Sequence, residues 1–321
     1  MIQNEQKQTV PYISSQRNPN GSKMNLQGSL DCLQGAVRAV RYNVDGDYIL
    51  TCGSNKTVKL LNATSLAQLK TYLGHGDEVL DTKSTCDNSQ IVSCGQDKTV
   101  ILWDVSTGVP QRKWRGHAGT VNCVALNEDS TVCISGSIDA TVKCWDMRSK
   151  SQEPIQVLEE MKDSVTCLIV TDHEIMAGSA DGKVRTYDLR NGRMITDMIT
   201  YDGSAVTSIS MTSDEQCYLV STTKADDSMK LMDKTNGSML QEFKGVPNSK
   251  GYRLECTVGF ESRQVLSGSD NGQILIFDLV KGTKVEDIKI SDKNEVVHSI
   301  SYHPTKEQFA CASKNKVFIY S

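Results

Sequence analysis

Two sets of histidine, serine and aspartate residues have the composition of a hydrolase catalytic triad. The sets share their order and spacing: His75, Ser93, Asp97 and His117, Ser135, Asp139. In such a triad an imidazole takes the proton of the attacking serine hydroxyl, and a carboxylate orients the imidazole. Each set is followed by a tryptophan, Trp103 or Trp145. Whether these hydroxyls can react therefore depends on the elements that carry them.

Other familiar chemistry has little support in the sequence. The segment Gly178–Lys183 lacks the spacing of a phosphate-binding loop, and the five histidines have no histidine or cysteine partner at zinc-site spacing. Most carboxylates fall at turns, where they accept backbone hydrogen bonds. We therefore expect no enzymatic activity, no metal and no cofactor.

The segment from Gly116 to Asp146 is the clearest copy of a repeated unit. It opens with Gly116-His117, contains three short runs rich in β-branched residues, and ends with Trp145-Asp146. Such runs between Gly, Asp and Ser turns predict strands. The closing position recurs 42 to 45 residues apart at Leu61-Asn62, Trp103-Asp104, Trp145-Asp146, Tyr187-Asp188, Met232-Asp233, Phe277-Asp278 and Tyr320-Ser321.

This period, with Gly-His at the start and Trp-Asp at the end, resembles the WD-repeat family. The resemblance implies an all-β, seven-bladed propeller at residues 25–321, preceded by a polar tail at 1–24 in which Tyr12 and Ile13 are the one candidate docking motif. The chain stops after a third strand of the last blade. We therefore predict that residues 25–33 supply its fourth strand and close the ring.

In this family the tryptophan indole, serine hydroxyl, imidazole and carboxylate form a hydrogen-bonded chain, which implies a structural role for both sets above. A hydroxyl bound to an indole inside a repeat cannot attack a substrate. Repeat one departs from the pattern with Leu33 at the histidine position and Asn55 at the aspartate position. Repeats four to six lack the full set, and there we expect packing to replace hydrogen bonding. The departures are Met161, Asp181, Tyr187, Asp226, Met232, Val246, Asn271 and Phe277.

Composition restricts the class of partner and the compartment. The net charge is −4 with both signs interspersed, so we expect no direct nucleic-acid or membrane binding. The eleven cysteines contain no Cys-x-x-Cys pair, which favours small buried side chains in a reducing compartment. No apolar run approaches the roughly 20 residues that span a bilayer. We therefore expect a soluble intracellular protein.

Four blocks outside the generic repeat positions resemble one group of WD-repeat scaffolds. They are Gly35–Gly46, Gly74–Asp81, Asp172–Ser179 and Ser301–Thr305. This resemblance implies a cytoplasmic and nuclear, non-enzymatic adaptor, monomeric, that gathers members of the extracellular-signal-regulated kinase cascade. It also implies links to a hypoxia-pathway prolyl hydroxylase and to spliceosomal proteins.

An alternative function comes from Trp-Asp-x-Arg at repeats three and four. Arg148 and Arg190 resemble residues by which some propellers dock onto the adaptor of a cullin ubiquitin ligase. The plainer interpretation is that each arginine pairs with a neighbouring blade or remains solvated.

The repeat also predicts where a scaffold would bind its partners. The turn before the third strand and the entry to the innermost strand fall at one end of the ring, so their side chains surround one mouth of the channel. The candidates are Arg38, Glu78, Gln96, Ile138, Arg253 and Asp270. Arg38, Ile138 and Arg253 are the first choices, because arginine and exposed apolar residues are enriched at the centres of interfaces.

Overall fold

A computed structural model describes residues 24–199, 203–223, 228–248, 250–290 and 295–321. The described part is all-β apart from one 3-10 turn at Phe260–Ser262, and it contains no helix long and apolar enough to cross a membrane. The predicted tail, with Tyr12 and Ile13, lies outside these residues except for Met24, and so does Asp226.

Each blade is a four-stranded antiparallel sheet whose strands follow one another from the channel outward. Blade 1 contains β2 (Val37–Tyr42), β3 (Tyr48–Gly53), β4 (Thr57–Asn62) and β5 (Gln68–Leu73). Blade 2 contains β6 (Val79–Ser84), β7 (Gln90–Gly95), β8 (Val100–Asp104) and β9 (Pro110–Trp114). Blade 3 contains β10 (Val121–Leu126), β11 (Val132–Ser137), β12 (Val142–Asp146) and β13 (Gln156–Leu158).

The later blades follow the same order. Blade 4 contains β14 (Val165–Val170), β15 (Glu174–Ser179), β16 (Lys183–Asp188) and β17 (Met194–Ile199). Blade 5 contains β18 (Val206–Met211), β19 (Cys217–Thr222), β20 (Ser228–Asp233) and β21 (Met239–Lys244). Blade 6 contains β22 (Cys256–Val258), β23 (Gln264–Gly268), β24 (Gln273–Asp278) and β25 (Lys284–Lys289).

The last blade joins the two ends of the described chain. Its strands are β26 (Val297–Tyr302), β27 (Phe309–Ser313), β28 (Lys316–Tyr320) and, outermost, β1 (Leu26–Asp31). β1 pairs with β28 from Leu26 opposite Tyr320 to Asp31 opposite Lys316. The predicted seven blades and the closure by an N-terminal strand are thus confirmed.

Aromatic side chains pack between neighbouring blades. The ring of Trp103 in blade 2 meets Tyr72 on the outer strand of blade 1 edge-on, with centroids 5.8 Å apart. Trp145 stacks on Trp114 of the preceding blade, also at 5.8 Å. All four rings are at most 1% exposed. The tryptophan position therefore holds one blade to the blade before it.

Small side chains follow the start of each innermost strand, as the narrowing toward the axis requires. In register with one another these residues are Ala39, Asp81, Cys123, Cys167, Ser208, Cys256 and Ser299. All cysteines except Cys86 and Cys217 are buried, and none forms a disulfide in the described residues. Asp81 is the one charged residue of this column, and it becomes part of a network described below.

Candidate protein-interaction surface

In blade 2 the triad-like residues are arranged as a chain of hydrogen bonds. The indole Nε1 of Trp103 donates to Ser93 Oγ at 2.8 Å, and that oxygen lies 2.7 Å from His75 Nε2. His75 Nδ1 lies 3.1 Å from both carboxylate oxygens of Asp97. Thr99 Oγ1 also donates to Asp97, at 2.7 Å. Each polar group at this position therefore has a partner inside the blade.

Blade 3 repeats the arrangement with nearly the same distances. Trp145 Nε1 donates to Ser135 Oγ at 2.8 Å, and Ser135 Oγ lies 2.8 Å from His117 Nε2. His117 Nδ1 is 2.9 Å from Asp139 Oδ2. Burial would raise the pKa of the Asp139 carboxyl, but hydrogen bonds from Thr141 and His117 outweigh it and lower the pKa to about 2.

The two serines are unsuited to nucleophilic attack where they lie. Ser93 and Ser135 are 0% exposed, and each oxygen is shared between an indole and an imidazole. A catalytic hydroxyl must instead reach a substrate atom in a cleft. The geometry supports a structural role: the chain joins the second and third strands of the blade to the turn between them and to the segment that enters the innermost strand.

Blade 1 corrects the expectation for Leu33. Leu33 is 76% exposed, and Gln34, which is fully buried, takes the position of the histidine instead. Thr51 Oγ1 donates to Gln34 Oε1 at 2.6 Å, and Gln34 Nε2 donates to Thr57 Oγ1 at 3.2 Å. Thr57 in turn donates to Asn55 at 2.7 Å. Gln34 and not Leu33 occupies this position because the turn into the innermost strand is one residue shorter here than in blades 2 and 3.

Blade 4 corrects the expectation that packing alone replaces the hydrogen-bonded chain. Arg185 is 1% exposed and forms ion pairs with Asp181 at 2.8 Å and with Asp197 at 3.2 Å. Its Nη1 also approaches Met161 Sδ at 3.2 Å. The residue at the tryptophan position, Tyr187, packs as expected, but its hydroxyl has no hydrogen-bond partner among the described residues.

A buried charge network in the channel was missed from the sequence. Arg41 Nη2 lies 2.9 Å from Asp81 and 2.6 Å from Glu255, and Arg41 Nη1 donates to Glu255 Oε2 at 2.8 Å. Ser299 Oγ donates to the same Glu255 oxygen at 2.6 Å. The network therefore connects blades 1, 2, 6 and 7. The one sequence signal was Asp81, a charge in a column of small residues.

The turns before the third strands and the entries to the innermost strands lie at one end of the ring, here called the entry face. Backbone hydrogen bonds join them, as from Gln96 N to Glu78 O at 2.9 Å and from Ile138 N to Thr120 O at 2.9 Å. Arg38 and Glu78 form an ion pair at 2.9 Å across blades 1 and 2. Three of the predicted contact residues, Arg38, Glu78 and Gln96, are thus neighbours.

The other predicted contact residues are more dispersed. Ile138 is 54% exposed and covers Gly119, where an added Cβ would lie 2.3 Å from its Cγ2. Asp270 lies at the entry face of blade 6, where its N–H donates to Pro247 O at 3.0 Å. Arg253 lies inside the channel, and its Nη1 donates to Asn122 O at 3.2 Å. The structure therefore places Arg253 apart from the surface on which it was expected.

The two arginines of the alternative docking motif have different surroundings. Arg190 is 70% exposed and binds the carboxylate of its neighbour Asp188 through Nε at 3.0 Å and Nη2 at 2.7 Å. Arg148 is exposed, and among the described residues its side chain forms no hydrogen bond and no ion pair at contact distance. Neither side chain pairs with a neighbouring blade within the described ranges.

Seven four-stranded blades, with the Trp-Ser-His-Asp chain in two of them, define a WD-repeat β-propeller. A family model described as "WD domain, G-beta repeat" matches residues 24–62. A second, described as "Nucleolar protein 10-like, N-terminal domain", matches residues 78–250.

Curated relatives match over most of the chain. WD repeat domain-containing protein 83 of Rattus norvegicus is 56% identical, covering 86% of this chain and 85% of the relative. The protein of the same name from Homo sapiens is 53% identical, covering 87% and 86%. A Dictyostelium discoideum homolog is 33% identical, covering 91% and 96%. The chain therefore belongs to the WD-repeat family, in the group of WD repeat domain-containing protein 83.

Proposed function

We propose that the protein is a non-enzymatic scaffold that assembles complexes of the extracellular-signal-regulated kinase cascade, similar to the mitogen-activated protein kinase organiser. The observation that carries the scaffold function is the entry face, where an exposed isoleucine and an arginine–glutamate pair sit on turns fixed by backbone hydrogen bonds. Binding residues are commonly found on loops held by a rigid framework. The four resembling sequence blocks support the choice of kinase cascade.

The same proposal covers partners and compartment. We propose a monomer that acts in the cytoplasm and the nucleus, with the hypoxia-pathway prolyl hydroxylase and spliceosomal proteins as further partners. Proximity labelling in cells, with a biotin ligase fused to this chain, tests the three groups of partners together. Enrichment of kinase-cascade members supports the proposal, and labelling of splicing proteins alone would contradict its main part.

Ile138→Asp tests the entry face directly. A carboxylate at an apolar contact is expected to weaken binding of purified kinase-cascade members at least about tenfold, since burying an unpaired charge costs well over 1.4 kcal/mol. The melting temperature should fall by no more than about 2 to 4 °C, because the side chain is half exposed. Arg38→Ala should act in the same direction.

Ile155→Asp is the matched control. Ile155 is 58% exposed in the same blade but directly precedes the outermost strand, where its N–H donates to Cys144 O on the outer edge of the blade. It should leave partner binding unchanged. Equal binding by the Ile138 and Ile155 variants would move the surface away from the entry face.

The ubiquitin-ligase alternative gains no specific support from the structure. Arg190 would have to leave Asp188 before it could bind an adaptor. Arg148→Ala and Arg190→Ala in a pull-down with the purified adaptor separate the two functions.

A further inference from the structure

The central channel contains a cavity of about 710 Å³. It reaches from the innermost strands to the turns that follow them, at the face opposite the entry face. Six charged side chains line it: Arg41, Asp81, Lys83, Arg253, Glu255 and Glu261. Glu261 forms an ion pair with Arg263, outside the cavity lining. With lysine and arginine protonated, the five groups other than Glu261 carry a net positive charge, since the charge of Glu261 is balanced by Arg263. The volume lies within the range of roughly 300 to 1,000 Å³ that is typical of small-molecule sites.

The negative groups of this cavity already have their partners. Glu255 accepts from Arg41 through both oxygens, from Ser299 at 2.6 Å and from Ile300 N at 3.2 Å. Asp81 also binds Arg41 and in addition accepts from backbone amides, among them Thr82 N at 3.0 Å. The carboxylates thus have little remaining capacity to attract a cation from solution.

Two positive groups of the cavity, Lys83 and Arg253, in contrast have few partners among the described residues. Lys83 has no hydrogen-bond acceptor and no ion-pair partner at contact distance among the residues that the structure describes, although its side chain lines the cavity. Burial and the nearby Arg41 lower the pKa of its ammonium group. Arg253 has one hydrogen bond, to a neutral carbonyl, within the same described ranges. A lysine in such surroundings is stabilised by any anion that reaches it.

We propose that the channel binds an oxyanion, a phosphate or carboxylate group, whose oxygens accept hydrogen bonds from Lys83. Within the part of the chain that the structure describes, the donors of Lys83 are unfilled while the acceptors of Asp81 and Glu255 beside it are filled, which selects an anion over a cation. The oxyanion balances the positive charge that these pairings leave over, and it gives Lys83 an ion-pair partner at contact distance, which it lacks among the described residues. Arg253, on the blade 6 side, adds to the positive potential. The inference does not depend on the kinase-cascade function.

Two sources share this chemistry: a free small anion, and an acidic side chain that a partner inserts into the channel. Titration calorimetry of the full chain with inorganic phosphate and with a short glutamate-containing peptide distinguishes them. The glutamine version of the peptide controls for peptide contacts, and sodium chloride at equal ionic strength controls for screening. Binding of either anionic probe alone identifies its source.

Lys83→Met should weaken the binding probe at least about tenfold, since a charge-assisted hydrogen bond is lost. Lys98→Met, which removes an exposed lysine at the entry face, should leave the affinity unchanged. Lys83→Gln provides a second variant, and the melting temperature of each variant reports whether the ring is intact. Absence of binding by both probes to the wild-type chain, or equal affinity for wild type and a folded Lys83 variant, would overturn the proposal.

Discussion

The indole N–H of Trp145 can donate a hydrogen bond but cannot accept one. It therefore fixes the direction of every hydrogen bond in the chain that it begins. Because the indole N–H donates to Ser135 Oγ, the serine proton is available to His117 Nε2. The imidazole then carries its proton on Nδ1 and donates to Asp139. We infer this tautomer of His117 from the hydrogen-bond network, because it is the one in which every donor has an acceptor.

Trp145→Ala is expected to lower the free energy of unfolding by about 3 to 5 kcal/mol, because it removes a fully buried aromatic and takes one partner from Ser135. Trp103→Ala should behave alike. Trp145→Phe keeps most of the stack on Trp114 and loses the N–H, so its cost should be smaller. Urea denaturation measures all three, and a wild-type midpoint for Trp145→Ala would contradict the network.

Stability should also fall at acid pH through His117 and Asp139. Burial lowers the pKa of His117, so below about 6.5 the unfolded chain takes up a proton first and stability declines. The Asp139 carboxyl, with its pKa lowered to about 2, stabilises the fold above about 4 and loses that contribution as the pH falls toward 2. Removing either side chain should weaken the dependence of stability on pH in the range where that side chain titrates.

His117→Gln and Asp139→Asn separate these two ranges. Denaturant midpoints of wild type and His117→Gln between pH 7 and 5 should converge as the pH falls. Those of Asp139→Asn should approach wild type only below about pH 4, within the range of the aspartate titration. If His117→Gln shows the full wild-type slope from pH 7 to 5, the histidine does not contribute to it.

Among individual residues, those that match the repeat pattern could be predicted from the sequence, and those that replace them could not. His75 and His117 were identifiable from their position after glycine. Gln34 was not, because alignment on the innermost strand ignores a turn that is shorter by one residue and so selects Leu33. Arg185 was also missed, since a charged residue in an apolar strand pattern gives no indication of its ion-pair partners.

Among the strands, β1 is the one that closes the ring. It contributes one strand, yet without it β28 would be the outer edge of blade 7. Exposed strand edges pair readily with other chains. Its pairing could be predicted because the strand count of the last repeat was one short. The bulge between Leu26 and Gly28 gave no sequence signal and follows from how the strand fits against its neighbour.

Deleting residues 1–33 should therefore lower the melting temperature and cause aggregation, while deleting 1–22 should do neither. The longer deletion removes every backbone hydrogen bond between β1 and β28, and also the side-chain bond from Asn315 to Asp31 at 2.6 Å. Light scattering and thermal unfolding compare the two truncated chains. Equal solubility and equal melting temperature would contradict the role of β1 in closure.

Across the whole molecule, the Arg41 network joins residues that no local pattern could pair. Arg41 and Glu255 are 214 residues apart, and the bidentate contact between them depends on the curvature of the complete ring. Strand periodicity predicts which side chains face the axis but not which of them meet there. This is why the blades could be predicted and the contents of the channel could not.

Arg41→Met should cost about 3 to 5 kcal/mol of stability, since it leaves the buried carboxylates of Asp81 and Glu255 without their cation. Adding Asp81→Asn and Glu255→Gln should restore much of the loss. Arg38→Met is the control, because the Arg38–Glu78 pair is more exposed and should contribute at most about 1 kcal/mol. Equal denaturant midpoints for Arg41→Met and Arg38→Met would show that the network adds nothing to stability.

The pairing of β1 with β28 also determines when the protein can be completed during its synthesis. Asp31 and Asn315 are 284 residues apart, and at about 5 to 20 residues per second a ribosome needs roughly 15 to 60 seconds between them. Throughout that interval the first strand has no partner strand, and blade 1 lacks the blade that should flank it. The nascent ring thus exposes an unpaired strand and an apolar face for seconds, whereas a β-hairpin forms within microseconds.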